Sequence, residues 1–342
     1  MSTVVITGIL LALLFDFLNG MNDAANSIAT VVSTRVLSPK LAVAWAAFFN
    51  FIAAFLFELK VAGTIGKGVV DPSVVTPELV ISALVGAVLW THACTHLGLP
   101  ISVSHSLIGG LAGAALLAGG PSALVGSGIA TVAIFIALSP IIGMLLAAGL
   151  MIITYWVVSR WQRSRVEKAS RKLQLFSAAA YSLGHGLNDA QKTMGIIVML
   201  LVASHAAGDH LPAWVFDGDR GFYVPVWVLI ACNTAIGLGT LAGGWKVIRT
   251  MGMKLTRLRP LNAFCAETGG AMSILLSSFL GIPVSTTHTI TGAIAGVGTV
   301  MNVRAVRWGI ASHILWAWFL TIPVSGLVGA GSFWLYRLIF VS

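Results

Sequence analysis

Two motifs occur twice in this chain, in the same order and at nearly the same spacing. Gly20-Met21-Asn22-Asp23-Ala24 returns as Gly186-Leu187-Asn188-Asp189-Ala190. Gly98-Leu99-Pro100-Ile101-Ser102-Val103-Ser104-His105 returns as Gly281-Ile282-Pro283-Val284-Ser285-Thr286-Thr287-His288. A chain that repeats itself in this way is expected to fold as two homologous halves, with the duplicated residues meeting at one site. In a bilayer, such a site lies at the repeat interface near the midplane.

The setting is apolar. Of 342 residues, 57% are hydrophobic and 9% charged, where an ordinary soluble domain carries about 25% charged residues. Mean hydropathy is +0.94. The stretches 1–15, 41–57, 79–159 and 260–303 are nearly uncharged and apolar without alternation, which points to helices rather than a β-barrel. The chain therefore reads as an all-α polytopic membrane protein with about 10–12 membrane segments. Its 37 glycines suit close helix packing in lipid.

The formal charge of +9 would suggest nucleic-acid binding in a soluble protein. Here the basic residues cluster in loops and read as a positive-inside signal, so the partner is the lipid bilayer and no nucleic acid is expected. Cys94, Cys232 and Cys265 lie in apolar surroundings and predict no disulfide framework. The N-terminus lacks a basic n-region and reads as the start of the first membrane helix.

The first motif pair is offset from 20 to 186 and the second from 98 to 281. Asn50 and Asn233, Gly113 and Gly296, Pro140 and Pro323, and Gly143 and Gly326 share the second offset. The added length must lie between Asp189 and Asn233, and the polar loop His205–Tyr223 supplies it. The halves are thus 1–160 and 173–342, joined by a basic linker, 161–172. The linker reads as cytoplasmic, the acidic loop after it as external, and Lys246, Arg249, Lys254, Arg257 and Arg259 again as internal. In the first half the equivalent loops carry the opposite bias: Arg35 and Lys40 come first, and few charges follow. That predicts two inverted-topology repeats with both termini extracytoplasmic. The stretches 79–119 and 260–303 must each enter and leave on one side. Their central Gly-x-Pro turns, crowded with hydroxyls, predict re-entrant helical hairpins.

Each hairpin turn places proline and Ser/Thr at the start of a helix, which offers free amide donors and the positive end of a dipole. Two such ends facing each other would suit a tetrahedral oxyanion; simple capping is the plainer reading. The motifs Asn22-Asp23-x-x-Asn26 and Asn188-Asp189-x-Gln191-Lys192 put carboxylates in membrane helices, where they are costly and usually functional. With backbone carbonyls from an unwound turn, such oxygens suit a hard monovalent cation, or a proton. Asp16, seven residues before Asp23, and Glu267, which replaces Leu84, are further candidate proton or cation carriers. Lys192 stands where the first half has Asn26 and either pairs with Asp189 or lies at the outer surface. His92, Cys94 and His96 have helical metal-ligand spacing but no second ligand set, so no metal site is expected. His105 and His288 either orient an oxyanion or pack. No nucleophile–base pairing, P-loop or dinucleotide fingerprint occurs, so no enzyme or cofactor is expected, and uphill transport would be secondary.

Asp16-x-x-Asn19-Gly20-x-Asn22-Asp23-x-Ala25-Asn26, Gly184-His185-Gly186-x-Asn188-Asp189-Ala190-Gln191-Lys192, Gly243-Gly244-Trp245 and Pro283-Val284-Ser285-Thr286-Thr287-His288 together resemble the PiT family of inorganic phosphate transporters, over essentially the whole chain. The resemblance implies a symporter of the inner membrane that imports inorganic phosphate on a sodium or proton gradient by alternating access, as a homodimer. It implies phosphate at Ser102, Ser104, Ser285, Thr286 and Thr287, and the coupling cation at Asn22, Asp23, Asn26, Asn188, Asp189 and Gln191. The short linker resembles bacterial members, described as carriers of phosphate or a metal–phosphate complex. Ser-Val-Ser in the first hairpin against Ser-Thr-Thr in the second keeps a sulfate permease as the alternative. A passive anion channel is the more distant one.

Overall fold

The computed structural model describes residues 2–56 and 59–340. Among these are twelve α-helices and no strand, only an isolated antiparallel bridge between Val70 and Leu124. The first half runs α1 (Thr3–Ser33), α2 (Pro39–Ile52), α3 (Lys60–Gly68), α4 (Pro77–Leu97), α5 (Val103–Gly119) and α6 (Gly126–Val158). The second runs α7 (Arg163–Ala206), α8 (Val226–Ala242), α9 (Trp245–Arg249) with a π turn Thr250–Lys254, α10 (Pro260–Phe279), α11 (Thr286–Met301) and α12 (Trp308–Phe340). Each half is a long motif helix, a bent pair, a hairpin and a long helix with an internal proline, Pro140 or Pro323. The added length of the second half is the irregular connection between α7 and α8. The basic linker is not a loop, because α7 begins at Arg163 and carries most of it as regular helix.

Among the described residues, four helices (α1, α4, α6 and α12) have by themselves the length and apolarity to cross a bilayer, and up to six spans result if each bent pair is one. Hairpin helices α5 and α11 have only 17 and 16 residues, and the polar motif in α7 lowers its hydropathy. Proline at the first turn starts α2, α4 and α10. The hairpin elbows turn at Gly98 and Gly281, with φ of +74° and +70°, a conformation only glycine adopts without strain.

The halves interlock. α6 of the first half packs on hairpin α10–α11 of the second, and α12 packs on hairpin α4–α5 of the first. α1 lies against α8, and α2 against α7. Glycine permits this closeness: a Cβ on Gly113 would sit 2.0 Å from the Gly326 carbonyl oxygen, and one on Gly292 would sit 2.1 Å from that of Pro140.

α1 and α7 run antiparallel past each other. Thr193 Oγ1 donates to Asp16 Oδ1 at 2.9 Å near one end, and Thr34 Oγ1 donates to Gln174 Oε1 at 2.9 Å near the other. Both helices pass between two apolar cores. One gathers Val5–Leu18 positions of α1, the α4–α5 hairpin and Met194–Leu201 of α7. The other gathers Ala24–Ala29 positions of α1, Tyr181 and the α10–α11 hairpin. The polar motif residues form the layer between the cores.

Candidate functional site

The Asn-Asp motifs sit inside unbroken helices, which corrects the expectation of an unwound turn there. Their glycines serve packing instead. A Cβ on Gly20 would lie 2.1 Å from the Ile236 carbonyl oxygen in α8, and one on Gly186 would lie 2.4 Å from that of Asn50 in α2. The irregular backbone is at the hairpin elbows, which approach the motifs from either side.

Asp23 and Asp189 face each other across the α1–α7 seam and are 2% and 1% exposed. Thr286 Oγ1 lies 3.2 Å from Asp23 Oδ2 and 3.0 Å from Asp189 Oδ2, so its single proton bridges the pair. Thr287 Oγ1 donates to Asp23 Oδ1 at 3.2 Å and accepts from Asn26 Nδ2 at 3.0 Å. Lys192 Nζ donates to Asp189 Oδ1 at 2.5 Å, to Ser104 Oγ at 2.6 Å and to the Val284 carbonyl at 2.7 Å. Of the two places open to Lys192, the structure takes the pairing with Asp189 rather than the outer surface. His185 Nε2 stands 3.2 Å from Asp189 Oδ2 and 3.6 Å from Asp23 Oδ2, while its Nδ1 faces Asn50 Oδ1 at 3.2 Å. Two buried carboxylates survive here because an ammonium and an imidazole face them. The residues expected to hold phosphate and those expected to hold a cation thus form one cluster, closed to solvent.

The flanks of the cluster are duplicated. Ser102 and Ser285 cap α5 and α11, accepting the amides of His105 at 3.3 Å and His288 at 3.2 Å. Each hydroxyl keeps its proton for another acceptor. Asn22 Nδ2 donates to Thr95 Oγ1, and Asn188 Nδ2 to Ser278 Oγ, both at 2.9 Å. The Oδ1 of both asparagines is buried without a hydrogen-bond partner, which leaves two carbonyl oxygens free to ligate a cation. Gln191 stands apart from this set. Its Oε1 accepts from the Val61 and Ala62 amides at 2.8 and 3.3 Å and so caps α3.

Asp16 and Glu267 lie on either side of the centre. Asp16 Oδ2 is buried without a partner. Glu267 accepts from Thr30 at 2.6 Å, from Gln174 at 3.0 Å and from Ser177. His105 and His288 pack edge to face at 4.8 Å, and His288 stacks on Trp318 at 3.6 Å, so this pair joins the two hairpins. His92 and His96 touch on an exposed face of α4, whereas Cys94 is buried on another, which separates that ligand set. The metal-type constellation is elsewhere: Asp23, His185 and Asp189 offer three ligand atoms within 4.8 Å of one another. Reading the chain by spacing alone missed it, although His185 precedes Asp189 by one helical turn just as Asn19 precedes Asp23.

A third duplicated motif also went unread. Lys60-Val61-Ala62-Gly63-Thr64-Ile65-Gly66 matches Lys246-Val247-Ile248-Arg249-Thr250-Met251-Gly252. Thr64 Oγ1 donates to the Gly281 carbonyl at 2.8 Å, and Thr250 Oγ1 to the Gly98 carbonyl at 3.0 Å. Each half therefore braces the hairpin elbow of the other.

The family model described as "Phosphate transporter family" matches residues 19–329. A probable low-affinity inorganic phosphate transporter of Rhizobium meliloti (strain 1021) is 53% identical over 322 residues, covering 94% of this chain and 93% of its own length. The protein of the same description from Bacillus subtilis (strain 168) is 40% identical over 334 residues, covering 97% of each chain. Among solved structures, that of a sodium-dependent phosphate transporter matches with a TM-score of 0.87 at 25% identity, over 99% of this chain and 100% of that one.

Proposed function

Because the chain belongs to the phosphate transporter family, we propose that it is a secondary-active symporter that imports inorganic phosphate with a monovalent cation by alternating access. The observation that carries this reading is the meeting of both hairpin turns and both Asn-Asp motifs in one buried cluster. Hydroxyls of Ser102, Ser104, Ser285, Thr286 and Thr287 would hold the anion at the ends of α5 and α11. Asp23, Asp189, Asn22, Asn188 and Asn26 would hold the cation, whose charge offsets that of phosphate. The antiparallel α1 and α7 support two inverted repeats, and burial of the whole cluster supports an occluded state between outward and inward openings.

The paired carboxylates beside the hydroxyls favour phosphate over sulfate. Phosphate near neutral pH still donates a hydrogen bond, and Asp23 or Asp189 would accept it; sulfate has none to give. The solved relative is named sodium-dependent, so sodium is the first cation to test here, with the proton second. Asp23, His185 and Asp189 also favour a second reading of the cargo, a phosphate carried with a divalent metal ion. Uptake of labelled phosphate into proteoliposomes under imposed sodium and pH gradients tests the proposal. Accumulation that follows one gradient and outlasts sulfate competition is expected. Flux that ignores both gradients, or labelled sulfate taken up in preference, would overturn it.

A further inference from the structure

The duplication gives each half a corresponding set of residues, and the two sets differ in charge. Asp189, Ser104 and Val284 of one pocket correspond to Asp23, Thr287 and Ile101 of the other, and Lys192 corresponds to Asn26. Lys192 is 1% exposed, and its ammonium lies 2.5–2.7 Å from a carboxylate, a hydroxyl and a backbone carbonyl oxygen. An ammonium has three N–H donors, and all three are used. Carboxylate, hydroxyl and hairpin carbonyl are the oxygen ligands that a membrane site offers a dehydrated monovalent cation.

In the mirror pocket the Asn26 amide donates to Thr287 and brings no charge. Asp23 there accepts the Thr287 hydroxyl proton at 3.2 Å and shares the Thr286 hydroxyl with Asp189, which alone of the two also has an ammonium. Asn22 Oδ1 and its counterpart Asn188 Oδ1 are both buried without a hydrogen-bond partner, so the halves differ at Asn26 and Lys192 and not at these asparagines.

We infer that Lys192 is a built-in cation that occupies one of two pseudo-symmetric cation pockets, so that a single free monovalent cation binds at the other, on Asp23 and Asn26. This deepens the proposed symport and rests on it. The chain then couples phosphate to one cation fewer than a centre with asparagine at both positions.

The test is the cation-to-phosphate ratio, read from zero-flux gradients in proteoliposomes with labelled phosphate and either sodium or proton gradients. Lys192→Asn opens the second pocket and adds one cation per phosphate. Under a tenfold cation gradient the limit of phosphate accumulation rises about tenfold. Asn26→Lys fills both pockets, so gradient-driven accumulation is lost. The double swap Asn26→Lys with Lys192→Asn keeps one ammonium and one open pocket and retains the wild-type ratio; it also guards against a folding defect caused by charge alone. An unchanged ratio in Lys192→Asn, or wild-type accumulation in Asn26→Lys, would overturn the inference. So would a large rise in phosphate KM in Lys192→Asn at constant ratio, which would assign the lysine to the anion. Failure of the symport reading looks different: the wild-type protein itself would then show no cation-dependent uptake.

Discussion

At position 26 the first motif helix carries an asparagine whose amide donates to Thr287; at position 192 the second carries a lysine whose ammonium joins Asp189 to both hairpins. Around these two residues the halves are alike. Ser102 and Ser285 cap equivalent helices, Asn22 and Asn188 tether equivalent hairpins, and Thr64 and Thr250 brace equivalent elbows. The matched residues hold the frame. The mismatched ones, Asn26 against Lys192, Val103 against Thr286 and Leu84 against Glu267, set charge and hydrogen bonding inside it.

The sharpest break of this comparison is at the aspartates. Asp23→Asn and Asp189→Asn are both expected to abolish gradient-driven phosphate accumulation. Only Asp189→Asn also strands a buried ammonium, which should cost about 3–5 kcal/mol of stability. Thermal unfolding of the two purified variants separates them, and equal losses would show that Lys192 does not depend on Asp189. Next is Thr286, whose hydroxyl lies within reach of both carboxylates. Thr286→Val should cost about 1–3 kcal/mol and lower phosphate uptake at subsaturating concentration by about tenfold. The reciprocal Val103→Thr should leave uptake nearly unchanged, because the first hairpin already gives Lys192 its hydroxyl through Ser104.

Glu267→Gln removes a carboxylate that has no acidic counterpart in the first half, where Leu84 stands, and that sits among three donors. Proton-driven accumulation should fall while phosphate exchange at equal pH continues; loss of both would make Glu267 a structural residue. The smallest effects belong to the braces. Thr64→Val and Thr250→Val should each cost about 0.5–1.5 kcal/mol, by similar amounts in thermal unfolding. The double variant should be additive because the elbows share no partner.

Much of the frame was legible in the residue pattern. Uncharged runs required membrane helices, and the repeated Gly-x-Pro turns located both hairpins. The offset between motif pairs put the added length between α7 and α8, where it is found. The reading failed where one residue type serves two physical ends. Cation chemistry at the Asn-Asp motifs suggested an unwound turn, yet the helices run through them unbroken, and Gly20 and Gly186 admit a neighbouring backbone. Gln191 lay in a motif with cation chemistry, yet its oxygen caps α3. The Lys-Val-x-x-Thr-x-Gly repeat was overlooked because its conspicuous charge lies outside the motifs, and its threonine matters only through a carbonyl in the other half.

The sequence by itself determined that this chain is a helical membrane protein with duplicated motifs that carry carboxylates and hydroxyls. Hydropathy and repetition are properties of the chain, and burying a carboxylate in lipid is too costly to be incidental. Only the tertiary structure decided which of those residues meet. The antiparallel seam of α1 and α7 sets Asp23 against Asp189, and the interlocked hairpins bring Thr286 and Ser104 from opposite halves to it. Lys192 could have pointed to water, and a charge chooses its partner by distance. Packing placed three oxygens within 2.7 Å of its ammonium and left the mirror pocket with an uncharged asparagine.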